Sequence, residues 1–245
     1  MKAVILAAGY ATRLYPLTLD RPKALLPVGG RPMVDHLLGR LDDVEGLDGV
    51  FLVTNSKFAD VFREWAGART GASVEIVDDG TTDEESKLGA IGDLDLTIRA
   101  RALDDDLLVL AGDNLFSESL APFAVFARAK DAPVLGVYDV GDLDAIRRYN
   151  AIELDDDDRV RYFEEKPEQP RSTLTGIALY FYPRSSLGLV HEYLDGGNNP
   201  DQPGRLVEWL YPRVPVYAWR VPGRWYDVGS TETLAEADAA FSRSG

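Results

Sequence analysis

The sequence predicts an α/β fold, a mostly parallel sheet covered by helices, and three observations predict it. Short apolar runs of strand length alternate with segments whose apolar residues recur at i, i+3, i+4 and i+7. The runs Val4 to Ala8, Val50 to Thr54 and Leu107 to Leu110 are apolar but for Thr54, as strands buried on both faces are. A chain of 245 residues, 45% of them hydrophobic, is also long enough to bury one large core.

The elements follow in order. Val4 to Ala8 is expected as the first strand, and a long polar loop follows it. Val34, Leu37, Leu38 and Leu41 share one face of a first helix. Val50 to Thr54 is a second strand, and Phe58, Val61, Phe62 and Trp65 mark the next helix, with Asn55 or Ser56 as its cap. Val74 to Val77 and Leu107 to Leu110 are further strands, the second ending in Gly112-Asp113-Asn114. A helix with Leu120, Phe123 and Ala127 inward precedes the strand Val134 to Val140. Ala151 to Leu154 and Val160 to Phe163 flank the acidic run Asp155 to Asp158 and read as a hairpin with a solvated turn. Leu174 to Tyr182 is a long strand, Leu187, Val190 and Leu194 mark a helix, and Val216 to Val221 is a late strand. Ser230 or Thr231 opens a last helix reaching about Phe241. No linker or internal repeat divides the chain, so residues 1–245 are read as one domain with an inserted β-rich lobe.

The charge balance of 26 cations against 41 acids, net -15, argues against a general nucleic-acid binder, because duplex phosphate is held by spread-out cations. The deficit is uneven. Residues 1–40 hold Lys2, Arg13, Arg21, Lys23, Arg31 and Arg40 against Asp20 and Asp35, a local excess of +4 that suggests a site for a small anion. The absence of cysteine excludes a disulfide framework, thiolate zinc and a cysteine nucleophile. The first apolar run is too short for a signal or membrane segment, which leads to the expectation of a cytoplasmic protein with no membrane partner.

The chemistry concentrates in Leu6-Ala7-Ala8-Gly9-Tyr10-Ala11-Thr12-Arg13-Leu14-Tyr15-Pro16-Leu17-Thr18 and Arg21-Pro22-Lys23-Ala24-Leu25-Leu26-Pro27-Val28. A loop leaving the carboxyl end of a strand is where α/β sheets bind ligands. Backbone N–H groups around Gly9 can line phosphates, Arg13 offers a forked donor and Lys23 a mobile point charge. Taken singly, one glycine and two cations describe an ordinary surface loop. Together, the two segments resemble the sugar-1-phosphate nucleotidylyltransferase family, whose usual opening is L-A-A-G-x-G-T-R-L-x-P-L-T followed by P-K-x-L-L-P-V. Ala11 stands where glycine is usual. Neither the P-loop nor the G-x-G-x-x-G pattern is present.

The resemblance implies a Rossmann-like core in which residues 1–140 mainly bind nucleotide, 141–230 mainly bind sugar phosphate and 231–245 form a terminal helix. It also implies nucleotide contacts at Leu6, Ala8, Gly9, Thr12, Arg13 and Gly89, and catalytic roles for Arg13, Lys23, Asp113 and Asp227. Leu110-Ala111-Gly112-Asp113-Asn114 and Trp225-Tyr226-Asp227-Val228-Gly229-Ser230 resemble the family's two aspartate motifs, so Asp113 and Asp227 are expected to hold Mg²⁺ as hard oxygen ligands. Phe163-Glu164-Glu165-Lys166-Pro167 resembles its E-K-P segment and Thr175-Gly176 the strand that follows. Sugar-phosphate contacts are therefore expected at Asn150, Glu165, Lys166, Thr175 and Gly176. Two segments depart from the pattern. Glu84 to Leu94 keeps Gly89 and Gly92 of the base-reading loop but lacks its Gln-Pro or Glu-Pro pair, and Asn150 replaces the glycine of R-Y-G-V.

The implied reaction is transfer of a nucleoside monophosphate from an NTP to a sugar 1-phosphate, with Mg²⁺, an NDP-sugar and pyrophosphate. Family frequency puts dTTP or UTP with glucose 1-phosphate first. The alternatives are a mannose-1-phosphate guanylyltransferase, a cytidylyltransferase for a non-sugar phosphate such as phosphocholine, and a non-catalytic nucleotide-sugar sensor. The length is expected to be close to the bare catalytic domain, with homo-oligomerisation left open.

Overall fold

A computed structural model describes residues 1–242. The part of the expected terminal segment at 243–245 lies outside the described residues. The elements are β1 (Lys2–Leu6), β2 (Pro27–Val28), β3 (Arg31–Pro32), α1 (Met33–Gly39), β4 (Val50–Thr54), α2 (Ala59–Ala68) and β5 (Val74–Asp78). They continue with α3 (Ala90–Ala100), β6 (Leu107–Ala111), β7 (Asn114–Phe116), α4 (Ala121–Lys130), β8 (Val134–Asp139) and α5 (Leu143–Ile146). The remainder is β9 (Asn150–Leu154), β10 (Val160–Glu165), β11 (Leu174–Tyr182), α6 (Leu187–Asp195), α7 (Pro203–Leu210), β12 (Tyr217–Arg220), β13 (Trp225–Asp227) and α8 (Thr231–Phe241).

The central sheet has the order β12-β8-β11-β6-β1-β4-β5. Its strands run parallel except β11, which is antiparallel to both β6 and β8. Alternation along β1 divides the interior. Ala3 and Ile5 face a core with Val34, Leu37, Phe62 and Phe123, while Val4 faces one with Ile91, Leu94, Ile98, Val190 and Leu206. Helices α1, α2 and α4 thus cover one face of the sheet, and α3, α6 and α7 the other. A third, smaller core joins Leu14, Leu26, Val28, Met33, Leu115, Val228 and Ala237, and fastens the long first loop and α8 to the main body.

Several sequence expectations shift. The first strand covers Lys2–Leu6 rather than Val4 to Ala8, although the Ala7 amide still donates to the Val53 carbonyl at 2.9 Å. Phe58, not Asn55 or Ser56, is the N-cap of α2. Asn55 instead accepts the Phe58 N–H at 3.2 Å and donates to the Ala8 carbonyl at 2.8 Å, tying the helix start to the first loop. The second half of the segment read as a base-reading loop is the start of α3, because Ile91, Leu94 and Ile98 repeat at helical spacing onto the sheet. Helix α7 and the short ribbon β7–β13 were not expected. The Asp155 turn is as expected, with Asp155 accepting the N–H groups of Asp157 and Arg159. Ser230 does cap α8: its hydroxyl accepts the Thr233 N–H while Thr233 accepts the Ser230 N–H. Among the described residues no helix is long and apolar enough to cross a membrane.

Candidate active site

Strands β1 and β6 are neighbours in parallel register, Leu6 opposite Ala111, so the Gly9 loop and Asp113 leave the same edge of the sheet. The Gly112 amide donates to the Leu6 carbonyl at 2.8 Å and holds the two exits together. A Cβ on Gly112 would stand 3.2–3.3 Å from Ala24, Ala7 and the Leu6 carbonyl, which leaves room for little else. Between these exits and the β9–β10 hairpin lies a cleft of about 520 Å³, a volume suited to a small-molecule ligand.

The aspartates meet through the β7–β13 ribbon. Asp227 pairs with Asn114 in antiparallel register, and the Val228 amide donates to the Asp113 carbonyl at 3.2 Å. Asn114 then organises the pair: it donates to Asp113 Oδ1 at 2.8 Å and accepts the Trp225 indole N–H at 2.6 Å. Lys23 Nζ donates to Asp113 Oδ2 at 2.6 Å, so both oxygens of Asp113 are oriented. Burial by itself would raise the Asp113 pKa, but the charge of Lys23 and the hydrogen bonds from Lys23 and Asn114 outweigh it and hold the carboxyl below its ordinary range. Asp227 has no such partner. Burial and the Asp113 charge push it up to about 6, against the opposing pull of Lys23 and Arg13.

Leu6, Ala8, Gly9, Thr12, Arg13, Gly89, Asp113, Asn150, Glu165, Gly176 and Asp227 all line the cleft. Lys23, Lys166 and Thr175 do not. Lys23 stands behind Asp113, and Thr175 is buried. Lys166 is exposed outside the cleft, at a left-handed φ of 51°, with its charge acting on the neighbouring Glu165. Burial raises the Glu165 pKa, and Lys166 and Arg205 oppose that rise.

Asn150 proves to be a cross-tie. Its amide donates to the Gly176 carbonyl at 3.0 Å, and its oxygen accepts the Gly176 N–H at 2.6 Å and the Thr175 hydroxyl at 3.2 Å. A Cβ on Gly176 would lie 2.8–2.9 Å from the side-chain methyls of Leu135 and Ile152, so a larger residue there would have to displace both. Ala11, where glycine is usual, adopts the left-handed conformation itself (φ 50°, ψ 43°) and opens the short helical turn that presents Arg13.

Sequence reasoning missed several lining residues. Arg148, Tyr149 and Asp93 belong to segments already singled out, whereas Asp79 and the Asp201–Gly204 stretch gave no motif signal. The last of these abuts Gly89, where a Cβ would come within 2.6 Å of the Pro200 carbonyl oxygen. The Ala90 and Ile91 amides donate to the Asp201 and Pro200 carbonyls. Acids outnumber cations in the cleft wall: Asp79, Glu84, Asp93, Asp113, Glu165, Asp201 and Asp227 face only Arg13, Lys87 and Arg148.

Residues 2–244 match the family model described as Nucleotidyl transferase. The chain is 27% identical over 241 residues to the bifunctional protein GlmU of Methanocaldococcus jannaschii, covering 97% of this chain and 53% of that protein. It is 30% identical over 252 residues to the mannose-1-phosphate guanylyltransferase of Mycobacterium tuberculosis, covering 98% and 64%. It is 26% identical over 239 residues to the UTP–glucose-1-phosphate uridylyltransferase AglF of Haloferax volcanii, covering 97% and 95%. Thus the chain spans between about half and two thirds of the first two relatives, and nearly all of the third. Its fold superposes on a UDP-glucose pyrophosphorylase solved with UDP-glucose at a TM-score of 0.83 and 21% identity, covering 100% of this chain and 99% of that one.

Proposed function

The chain belongs to the nucleotidyl transferase family, and from that premise we propose that it moves a nucleoside monophosphate from an NTP to a sugar 1-phosphate. The observation that carries this reading is the meeting of Asp113 and Asp227, with Lys23 and the Arg13 loop, at one edge of the sheet. Two of the relatives named above act on mannose 1-phosphate and glucose 1-phosphate according to their names, which supports the same acceptor class here.

In the reaction an oxygen of the acceptor phosphate forms a bond to the α-phosphorus of the NTP, and the bond from that phosphorus to the bridging oxygen breaks, releasing pyrophosphate. The nucleophile is already ionised at neutral pH, so no general base is required. What the protein must supply is alignment of two anions and neutralisation of their charge. Arg13, on the exposed turn at the cleft wall, pairs with the departing pyrophosphate. Lys23 fixes Asp113 and lends its positive charge to the α-phosphate side of the cleft. Glu165, half-buried at the other end, accepts from sugar hydroxyls, Asn150 and Thr175 keep that wall rigid, and Lys166 at the mouth draws in the acceptor phosphate.

The residues present fit Mg²⁺. Two half-buried carboxylates with one raised pKa form a site short of positive charge, and the whole cleft wall carries an acidic excess that would repel a triphosphate. Asp113 and Asp227 would hold the ion, which would neutralise phosphate charge at the reacting centre. The described residues hold no cluster of three such ligands, as suits an ion completed by substrate phosphate and water. Pyrophosphate release measured over a matrix of NTPs and sugar 1-phosphates tests the proposal. Turnover of at least one pair is expected, and silence across the matrix with folded protein and added Mg²⁺ overturns it.

A further inference from the structure

The base-reading end of the cleft is built differently from the sequence pattern it resembles. The Tyr10 hydroxyl lies 3.2 Å from Thr81 Oγ1, joining the Gly9 loop to the segment after β5, and the Thr81 amide donates to Asp79 Oδ1 at 2.7 Å. Asp79 therefore stands at the wall next to the loop expected to hold the nucleotide. Behind it is Asp93, four residues beyond Gly89 on α3, only 5% exposed and with its carboxyl in hydrogen-bonding reach of Asp79. Two ionised carboxylates cannot hydrogen-bond one another. Asp93 Oδ1 is buried with no hydrogen-bond partner among the described residues, and a proton retained between the two carboxyls is what would satisfy it. Burial and the Asp79 charge raise the Asp93 pKa and favour its protonated form, and burial raises that of Asp79 as well.

With Asp93 protonated and donating, Asp79 is an oriented carboxylate whose remaining lone pairs accept only. The other side chains at this end do not alter that character. Lys87 is already matched by Glu84 at 2.8 Å and Asp201 at 3.2 Å, the Asn55 amide is spent on the Ala8 carbonyl and the Phe58 N–H, and the Gln202 side-chain carbonyl oxygen accepts from Arg205 Nε at 3.0 Å. A carboxylate matches two adjacent donors, and guanine alone among the common bases presents them, at ring N1–H and the 2-amino group. Uracil and thymine offer a single N3–H flanked by two repelling carbonyls, and adenine and cytosine one amino group beside a ring nitrogen lone pair, so none of them presents two adjacent donors.

We infer that Asp79, held in place by Asp93, reads the base of the nucleotide and selects guanine. This rests on the nucleotidyl-transfer reading above and narrows its donor to GTP. Asp79 is the contacting residue and Asp93 a positioning residue.

The test separates base reading from catalysis by measuring both. Titration calorimetry with GTP, UTP, dTTP, CTP and ATP in the presence of Mg²⁺ should find GTP tightest by at least about tenfold, the lower range of what a bidentate base contact discriminates. Asp79→Asn should lose that preference and gain affinity for xanthosine triphosphate, whose 2-carbonyl accepts from the new amide. Asp93→Ala should weaken GTP binding, and Asp93→Asn should restore the preference that the alanine variant loses, since its amide N–H replaces the acid proton. UTP or dTTP binding as tightly as GTP to the unaltered protein overturns the inference, as does an Asp79→Asn protein that is folded by circular dichroism and still prefers GTP. Tight GTP binding without pyrophosphate release from any sugar 1-phosphate would instead overturn the reaction while keeping the base assignment.

Discussion

Replacing Asp93 with Asn should make the protein more stable, by an amount that grows with pH. In the folded chain the Asp93 pKa is pushed up to about 8 from an ordinary 3.8, by burial first and by the Asp79 charge second. The folded state therefore binds more protons than the unfolded chain between those values. Stability falls as pH rises through that window and levels off above it. At about 1.4 kcal/mol per pH unit, the cost near pH 7 is about 4 kcal/mol, a large share of a domain's 5–15 kcal/mol. Asparagine has nothing to titrate and keeps a donor toward Asp79. Other groups share this field: Asp201 acts on Asp93, Asp78 acts on Asp79, and Asp79, Asp83 and Glu84 act on Tyr10. The comparison is therefore between two proteins that differ only at position 93. Urea unfolding of both, from pH 4 to pH 8.5 at constant ionic strength, should give equal midpoints at pH 4 and a progressively higher midpoint for Asp93→Asn, with the same m-value. A midpoint difference that does not change with pH would refute the shared proton.

Three further outcomes follow from the site. Asp113→Ala should cut pyrophosphate release by at least about a hundredfold, the scale of losing one oriented charged group, while circular dichroism stays unchanged. Gly89→Ala should destabilise the protein by about 1–3 kcal/mol, because Gly89 sits at φ 79°, ψ 161° and an added methyl meets the Pro200 carbonyl; thermal unfolding measures the loss, and the KM for NTP should rise as the Pro200–Asp201 stretch is displaced. Ser230→Ala should cost about 1 kcal/mol by removing the α8 cap, read as a lower urea midpoint, with a smaller effect on turnover than Asp113→Ala because the cap lies three residues from Asp227.

The parts of the site legible in the sequence are those built from contiguous residues. The run from Leu6 to Val28 carries small residues at Ala8 and Gly9 and cations at Arg13 and Lys23, and local spacing alone makes that pattern visible. The apolar runs carried the strands because burial on both faces demands continuous hydrophobicity. Helix α7 was missed because Pro203 and Gly204 open it, and both residues ordinarily signal a loop. Asn150, expected as a sugar contact, lines the cleft, and its amide is also held by Gly176 and Thr175 on a strand some 25 residues away, a pairing that no local pattern encodes.

By itself the sequence determined an α/β chain with a first loop carrying small residues and cations, two separated aspartates and a family likeness, because each depends on composition or short spacing. Tertiary structure decided the rest. It joined Asp113 to Asp227 across 114 residues of chain through the register of a three-residue ribbon, and it set Lys23 against Asp113. It also brought Asp79 and Asp93 together from a strand end and a helix start, a meeting that local spacing does not encode. The physical reason is the same in each case. A carboxylate's charge state and what it can bind depend on burial and on the groups within a few ångströms, and the fold sets those neighbours rather than the order of residues along the chain.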